Sequence, residues 1–501
     1  AAVIATRGGD GGGGGGGTTT TAAQPATDPY DGTVYVESNR SATNANSVIA
    51  MRYRAGSLAP LRLTEYPTGG SGSEDITDSG VLDADQQVIV NPAHTLLFAV
   101  NQGSDSIAVF RIGRGGQLTP VPGSPFPSGG KAPASLGLDG DRLIVVNKAQ
   151  DGVRDLSRDR PNYTSFRVGA DGALTSTGSV VSIDPGASPT QALITHDGQV
   201  MVSTEEAGPF RAFRVAADGS LTPGTNSPLP ADASVFPPGF PPDKQWALGL
   251  GAHPTRNIVY AEMATVGKTA VYTYDPSGAL TFVRVVPNEG SVLPCWSLVN
   301  REGTRLYTAN AGSDNVTVFD IGTDPMNPRQ LQSVKLNGRG NPWNITMSPD
   351  ERYVFVVNPR ATRITPVGQG NTVHSFRVND DGTLRVRNQT VHLFGIIIPA
   401  LDQGCAGAVR PLECAPRDAA LALKFKIGVN FVDCAIKERK PDSSVTAVCT
   451  VNDQDLAAWL IQQGWAAAAT NAPTEYDELE KISRRRGVGM WAAPPGHWPA
   501  R

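Results

Sequence analysis

The feature that most restricts how this chain folds is a phrase it repeats. "FRIGRGGQL" at 110–118 returns as "FRVGADGAL" (166–174), "FRVAADGSL" (213–221), "YTYDPSGAL" (272–280) and "FRVNDDGTL" (376–384). A shorter copy, "MRYRAGSL", occupies 51–58, and a diverged one starts "FDIGTDP" at 319. Each reads as a strand, a tight turn carrying glycine, and the start of the next strand. A β-prone run ending in a polar residue precedes each copy, such as "LLFAVN" (96–101), "RLIVVN" (142–147), "RLYTAN" (305–310) and "YVFVVN" (353–358). Turns such as "VNPAHT" and "VNREGT" come before those runs. The unit is therefore four strands over about 45 to 60 residues, the period of a propeller blade. One four-stranded sheet cannot bury both of its faces, whereas a ring of such sheets buries each face against a neighbour. Seven units fit between about Thr33 and residue 400.

The fold expected is mainly β: a seven-bladed β-propeller over 33–400, preceded by a Gly/Thr-rich segment (1–32) and followed by a small α+β domain (401–501, or from near 386). At 501 residues the chain is long enough for a large domain plus a smaller one. Its 55 glycines, 39 prolines and 18% charged residues suit many short strands joined by turns. A net charge of −4 argues against a broad phosphate-binding surface, so no nucleic-acid partner is expected. No run approaches the roughly 18 apolar residues of a membrane helix, so no span is expected.

The blocks "VNPAHTLLFAVNQGSDSIAVFRI" and "VNREGTRLYTANAGSDNVTVFDI" resemble the seven-bladed lactonase-type propellers, which include bacterial 6-phosphogluconolactonase and related surface-layer repeat proteins. The resemblance covers roughly 33 to 400 and implies the fold. It says little of activity, because the matching blocks are turns and core strands. A lactonase-type hydrolase and a ligand-binding or surface-assembly module both follow from it as expectations.

Beyond Cys405 the pattern changes. "RDAALALKFKI" (417–427), "DQDLAAWLIQQGWAAA" (453–468) and "YDELEKISRRRGVGMW" (476–491) have helical spacing. With "VDCAI" and "TAVCTV" they resemble the staphylococcal-nuclease-like family, built on an OB-type barrel. That family holds Ca²⁺ with carboxylates, moves a proton with a glutamate and grips phosphate with two arginines. Its signature R-L-x-G-I-D-x-P-E falls here on His392-Leu393-Phe394-Gly395-Ile396-Ile397-Ile398-Pro399-Ala400. The first arginine is thus His392, the metal aspartate Ile397 and the glutamate Ala400, while the second arginine falls on Ser443 or Ser444. The family's D-G-D-T aligns with Asp380-Asp381-Gly382-Thr383, leaving glycine at a ligand position. Isoleucine cannot coordinate an ion and alanine cannot move a proton, so no nuclease activity, metal or cofactor is expected.

Four of the five cysteines permit two local pairs, Cys405 with Cys414 and Cys434 with Cys449. Paired cysteines imply an extracellular or periplasmic protein; four reduced, buried thiols are the plainer reading. The chain begins at Ala1 without methionine, as a trimmed export product would. Its first residues, "AAVIAT", precede seven glycines and four threonines, a flexible tether by composition. They are expected either to add as a strand to another subunit, giving self-assembly, or to be an export remnant. The segment 391–400 is expected either to open the nuclease-like barrel or, as the all-apolar "FGIII" (394–398) favours, to close the ring as blade 1's missing inner strand, buried on both faces.

Propellers hold ligands at the mouth of the central channel. Trp246, Trp296 and Trp343 start successive inner strands, with Gln191 at the matching place in "PTQALI". Together they read as a platform for a small molecule or sugar, or more plainly as packing between blades. Glu205, Glu206 and Glu262 stand where sister repeats end in Asn, and are candidate acid–base groups or solvated loop carboxylates. His196 and His253 fall in turns and read as turn residues. Two loops depart from the repeat, 149–164 and 230–244, and are expected to carry specificity or partner contacts.

Overall fold

Side chains on a strand alternate between faces, so a wholly apolar run such as "LLFAVN" needs a partner on each side. Leu96, Phe98 and Val100 pack with Leu136, Leu143 and Val145 of the next repeat. Leu97 and Ala99 pack with Tyr35 and Val48 of the preceding one. The same arrangement recurs between every pair of successive repeats. Val34, Val36 and Tyr53 of the first repeat meet Tyr353, Phe355 and Val357 of the last, which closes the circle.

A computed structural model describes residues 4–8, 30–54, 57–73, 84–336, 341–358, 372–382, 384–385, 391–398, 416–427, 432–439, 445–451 and 454–492. It divides at Val386/Arg387 into two units. Among the described residues, the first unit holds seven antiparallel sheets whose strands follow chain order from the inside outwards. The inner strands are Ile4–Gly8, Val88–Val90, Pro133–Asp139, Leu193–Ile194, Ala247–Ala252, Pro294–Val299 and Asn344–Met347. Each lies beside the next, and the last beside the first. This is the β-propeller ring expected.

The repeated phrase marks the outer hairpin of the blades. Gly172, Gly219, Gly278 and Gly382 turn it at φ between +76° and +89°, a region other residues rarely adopt. An aspartate before the glycine fixes the turn: Asp171 Oδ1 accepts from Ala173 N–H (3.0 Å) and Asp218 Oδ1 from Ser220 N–H (2.9 Å). The asparagines ending the second strands are buried ties to the third. Asn147 Nδ2 donates to Thr164 Oγ1 (3.1 Å), and Asn310 Nδ2 to Thr317 Oγ1 (3.0 Å).

The closing strand is not the one expected from the sequence. Ile4–Gly8 pairs antiparallel with Gly32–Glu37 and supplies blade 1's inner strand. Residues 391–397 belong to the second unit instead. Val391–Leu393 lies parallel to Val445–Ala447, and Ile396–Ile397 pairs with Ala467–Ala468. Ile397 and Ile398 are 36% and 42% exposed, which a strand buried on both faces could not be. The amino-terminal strand therefore lies in the chain's own blade 1.

In the second unit, Asp433–Arg439 and Val445–Val451 pair antiparallel. Cys434 and Cys449 face each other across that ladder and form a disulfide; Cys405 and Cys414 lie outside the described residues. Among the described residues three helices accompany the strands: α1 (Pro416–Ile427), α2 (Leu456–Gln462) and α3 (Thr474–Arg486). Asp455 caps α2, accepting from Ala457 and Ala458 N–H (2.8 and 3.1 Å). Its other oxygen accepts from the Tyr476 hydroxyl of α3 (2.5 Å). Glu480 is fully buried, accepting from Ala468 N–H (2.7 Å) and Arg484 Nε (2.7 Å). The helices expected over 453–468 and 476–491 are shorter, because the turn at Gly464 (φ +74°) and the cap at Gly487 (φ +61°) end them.

Candidate functional site

Ladder register aligns the starts of the inner strands. By that register one position is Pro133, Pro189, Pro294 and Pro342 in blades 3, 4, 6 and 7, and Asp85 in blade 2. A carboxylate thus stands where four sisters carry proline. Gln86 follows it at φ +60°, an uncommon conformation for a residue with a side chain. Asp85 N–H donates to Thr190 O of blade 4 (3.1 Å), and Leu136 N–H of blade 3 to Gln86 O (3.0 Å). The segment is thereby tied to blades 3 and 4.

The Asp85 side chain reaches further. Its Oδ1 accepts from Gln86 N–H (2.8 Å) and from Asn344 Nδ2 of blade 7 (3.0 Å). Its Oδ2 accepts from Gln191 Nε2 of blade 4 (3.3 Å). Gln191 also bonds blade 5, accepting from Leu250 N–H (2.8 Å) and donating to Leu250 O (3.2 Å). One carboxylate is thus held by groups from three blades, and Gln191 extends the set to a fourth. Burial pushes its pKa up to about 6, against the lowering effect of its amide donors. A cavity of about 420 Å³ opens beside it, lined by inner-strand residues of blades 2, 4, 5, 6 and 7, among them Gln86, Gln191, Leu250 and Ser297. That volume lies in the range of small-ligand sites, about 300–1,000 Å³.

Of the residues singled out from the sequence, Gln191 belongs to this site. The tryptophans lie close by but do not form an open platform. Trp296 and Trp343 are 0% and 2% exposed and pack with Leu248, Cys295 and Ala311, with Trp246 half-buried against the same cluster. Trp246 Nε1 donates to Asp243 O (3.1 Å).

Glu205 takes the place of the strand-ending Asn and does the same work, tying its strand to the next through an ion pair with Arg211. Burial raises its carboxyl and Arg211 opposes that rise. Glu206 Oε2 accepts from Ser188 Oγ (3.3 Å). Glu262 stands one residue earlier than the sequence pattern implied: it pairs with Thr269, and Met263 ends the ladder. It is fully buried, facing blade 6 where its sisters carry Val100, Val146 and Val357, and burial pushes its pKa up to about 8. His196 Nε2 bonds Asn257 Oδ1 (3.1 Å), and His253 Nδ1 accepts from Thr255 N–H (3.2 Å), both within turns.

The inserted loop at 149–161 is fixed by a forked pair: Arg154 donates to both oxygens of Asp105 at 3.0 Å. Of the nuclease-like positions, Asp380 and Asp381 sit in blade 7's outer hairpin, where Asp381 O accepts from Arg305 Nε (2.8 Å). His392 lies on the short strand of the second unit and is exposed. Ala400, Ser443 and Ser444 lie outside the described residues. Among the described residues, no group of three or more His, Cys, Asp or Glu side chains is placed to hold a metal, and no helix is long and apolar enough to cross a membrane.

Comparison with solved structures places this ring. A putative 6-phosphogluconolactonase from Bacteroides fragilis is 16% identical, with 72% of this chain and 95% of that one covered at a TM-score of 0.50. The periplasmic gluconolactonase of Pseudomonas aeruginosa is 17% identical, covering 70% and 94% at 0.51. A hypothetical selenium-binding protein from Sulfolobus tokodaii is 13% identical, covering 72% and 90% at 0.51. The likeness is one of fold. It is that of the 6-phosphogluconolactonase-like β-propellers. No family model matches the sequence, and no curated protein does.

Proposed function

We propose that the propeller is a binding module for a small molecule, which it takes into the cavity of its central channel. The observation that carries this reading is the convergence of Gln191, Asn344 and the Gln86 N–H on one buried carboxylate at the wall of a cavity of about 420 Å³. Positioned polar groups set among apolar side chains are what small-ligand sites are made of. The carboxylates first considered as catalysts have structural work: Glu205 holds Arg211, and Glu262 is fully buried.

Hydrolysis of a cyclic ester is the second reading, favoured by Asp85. A carboxyl with a pKa near 6 is suited to accept a proton from water around neutrality. Two proteins of the same fold are named for lactones of gluconic acid. The second unit reads as a nuclease-like appendage that does not cut, since Ile397 cannot bind calcium. The disulfide Cys434–Cys449 supports an exported protein.

Calorimetry with gluconolactone, gluconate, γ-butyrolactone and glucose, beside pH-stat measurement of acid release, tests both readings. Binding without acid release supports the module. Acid release abolished by Asp85→Asn supports the hydrolase, and absence of release overturns it. Incubation with DNA and Ca²⁺ is expected to leave the DNA intact.

A further inference from the structure

We infer that the channel cavity is built for a small organic cation, with an ammonium head at Asp85 and an apolar body along the channel wall. This rests on the binding reading above and names the chemical class of the ligand.

The argument starts from charge. Asp85 is 9% exposed, and each of its hydrogen-bond donors is neutral: two side-chain amides and one backbone N–H. No arginine, lysine or histidine among the described residues forms an ion pair with it. A buried carboxylate without a countercharge is unfavourable, and a protein normally supplies the partner itself. Asp105, Glu205 and Asp320 of the ring each have an arginine. The fully buried Glu37 and Glu262 have no cation and are held as neutral acids, their pKa pushed up to about 8 by burial. Asp85 differs from both groups in lining a cavity with only dipoles around it.

Unused hydrogen-bonding capacity points the same way. Asn344 spends its NH₂ on Asp85 and Ala84 O, and its Oδ1, on a residue 1% exposed, has no donor. Gln86 lines the cavity and its buried Oε1 likewise has none. The surplus is therefore of acceptors around a negative charge. An ammonium offers three donors and accepts nothing, so it complements such a floor. An anion would meet Asp85 head-on. A lone carboxylate supplies too few charged oxygens for a calcium ion. The walls decide the rest of the ligand: Val88, Val90, Leu193, Leu250, Leu298 and Ile345 present an apolar lining. Burial also holds Asp85 near pH 6, as a carboxylate without its cation would be held. The other titratable groups near the cavity are His94, on the turn after blade 2's inner strand and part of the lining, and Glu262 behind Ser297.

Isothermal titration of the full chain at pH 7.5 with hexylammonium, hexanol and hexanoate tests the inference. Hexylammonium is expected to bind at least tenfold more tightly than either of the others, and Asp85→Asn to remove that advantage. On the unaltered protein its affinity should fall about tenfold between pH 7.5 and pH 5, as Asp85 takes up its proton; this arm serves if the variant does not fold. Equal affinity for hexanol, or an unchanged affinity in Asp85→Asn or across that pH range, overturns the cation inference. If hexanol, hexanoate or gluconolactone binds while hexylammonium does not, and Leu298→Trp abolishes that binding, the cavity-binding reading stands and the cation inference falls. If none of the probes binds, both fall.

Discussion

Replacing Glu262 by glutamine removes a proton-linked cost without removing a hydrogen bond. The side chain lies on the second strand of blade 5, fully buried, with Oε2 accepting from Thr269 Oγ1 (2.8 Å) and Ser297 beside the carboxyl. Its carboxyl is pushed from 4.5 to about 8 by burial, so at neutral pH it is folded as the neutral acid. The unfolded chain ionises near 4.5. Between those values the native state binds one proton more than the unfolded state, so stability falls as pH rises, by ~1.4 kcal/mol per unit. The contribution is fully favourable below pH 4.5 and is lost progressively up to about pH 8. At pH 7.5 the accumulated cost is three units, or ~4 kcal/mol. Glutamine keeps a carbonyl for Thr269 and never ionises in either state. Glu262→Gln should therefore exceed the wild type in stability by up to ~4 kcal/mol at pH 7.5, with the gap closing towards pH 4.5.

Urea unfolding followed by tryptophan fluorescence, run for both proteins at pH 5.0 and 7.5, measures that gap. Comparison of variant against wild type cancels the other groups that titrate in the same window, including Asp85 and Glu37. Glu37 occupies the matching place in blade 1, also pushed to about 8 by burial, with Asn46 Nδ2 donating to one oxygen (2.8 Å). A gap that is the same at both pH values, or a variant less stable than the wild type at pH 7.5, would refute the reasoning.

The remaining predictions are these. Deleting residues 1–8 takes the cover from Gly32–Glu37, where Val34 and Tyr35 are fully buried, so the melting temperature should fall and amide exchange rise in 32–37; unchanged exchange there would assign the closing strand elsewhere. Reducing Cys434–Cys449, which are 15 residues apart, should cost the second unit ~3 kcal/mol and leave the propeller's melting unaffected, read by calorimetry with and without reductant. Arg211→Met strands the buried Glu205 charge and should destabilise the propeller by ~3 kcal/mol at pH 7.5, whereas the double variant Arg211→Met/Glu205→Met should recover most of the loss.

The parts of the propeller legible in the sequence are those where one residue type is demanded at each repeat. A hairpin turning at φ near +80° needs glycine, and a strand buried on both faces needs an apolar run; both demands recur, so the period is written openly in the chain. The closing strand is less legible for a physical reason. Any five-residue β-prone segment that can reach blade 1 satisfies the ladder, and hydropathy favours "FGIII" over "IATRG". What decides is pairing: Ile396 and Ile397 pair with Ala468 and Ala467 in a unit of their own, while Ile4–Gly8 pairs with Gly32–Glu37 of blade 1. Glu262 was placed one residue late because "VYAEMA" lacks the asparagine that fixes register, and only pairing with Thr269 settles it.

The channel is where the pattern gives least help. Outer strands see the same neighbours in every blade, so their residues repeat. The starts of the inner strands face the axis, and two positions after the proline Gln87, Ser135, Gln191, Trp296 and Asn344 have no common chemistry to repeat. The usable signal was negative: a proline shared by four blades is missing from "LDADQQVIV", and an aspartate stands in its place. A residue that breaks the repeat where its side chain bonds blades 4 and 7 and lines a cavity answers to something other than the packing of its own blade. On the reading proposed here that something is a ligand, which the neutral donors around Asp85 and the cavity beside it support.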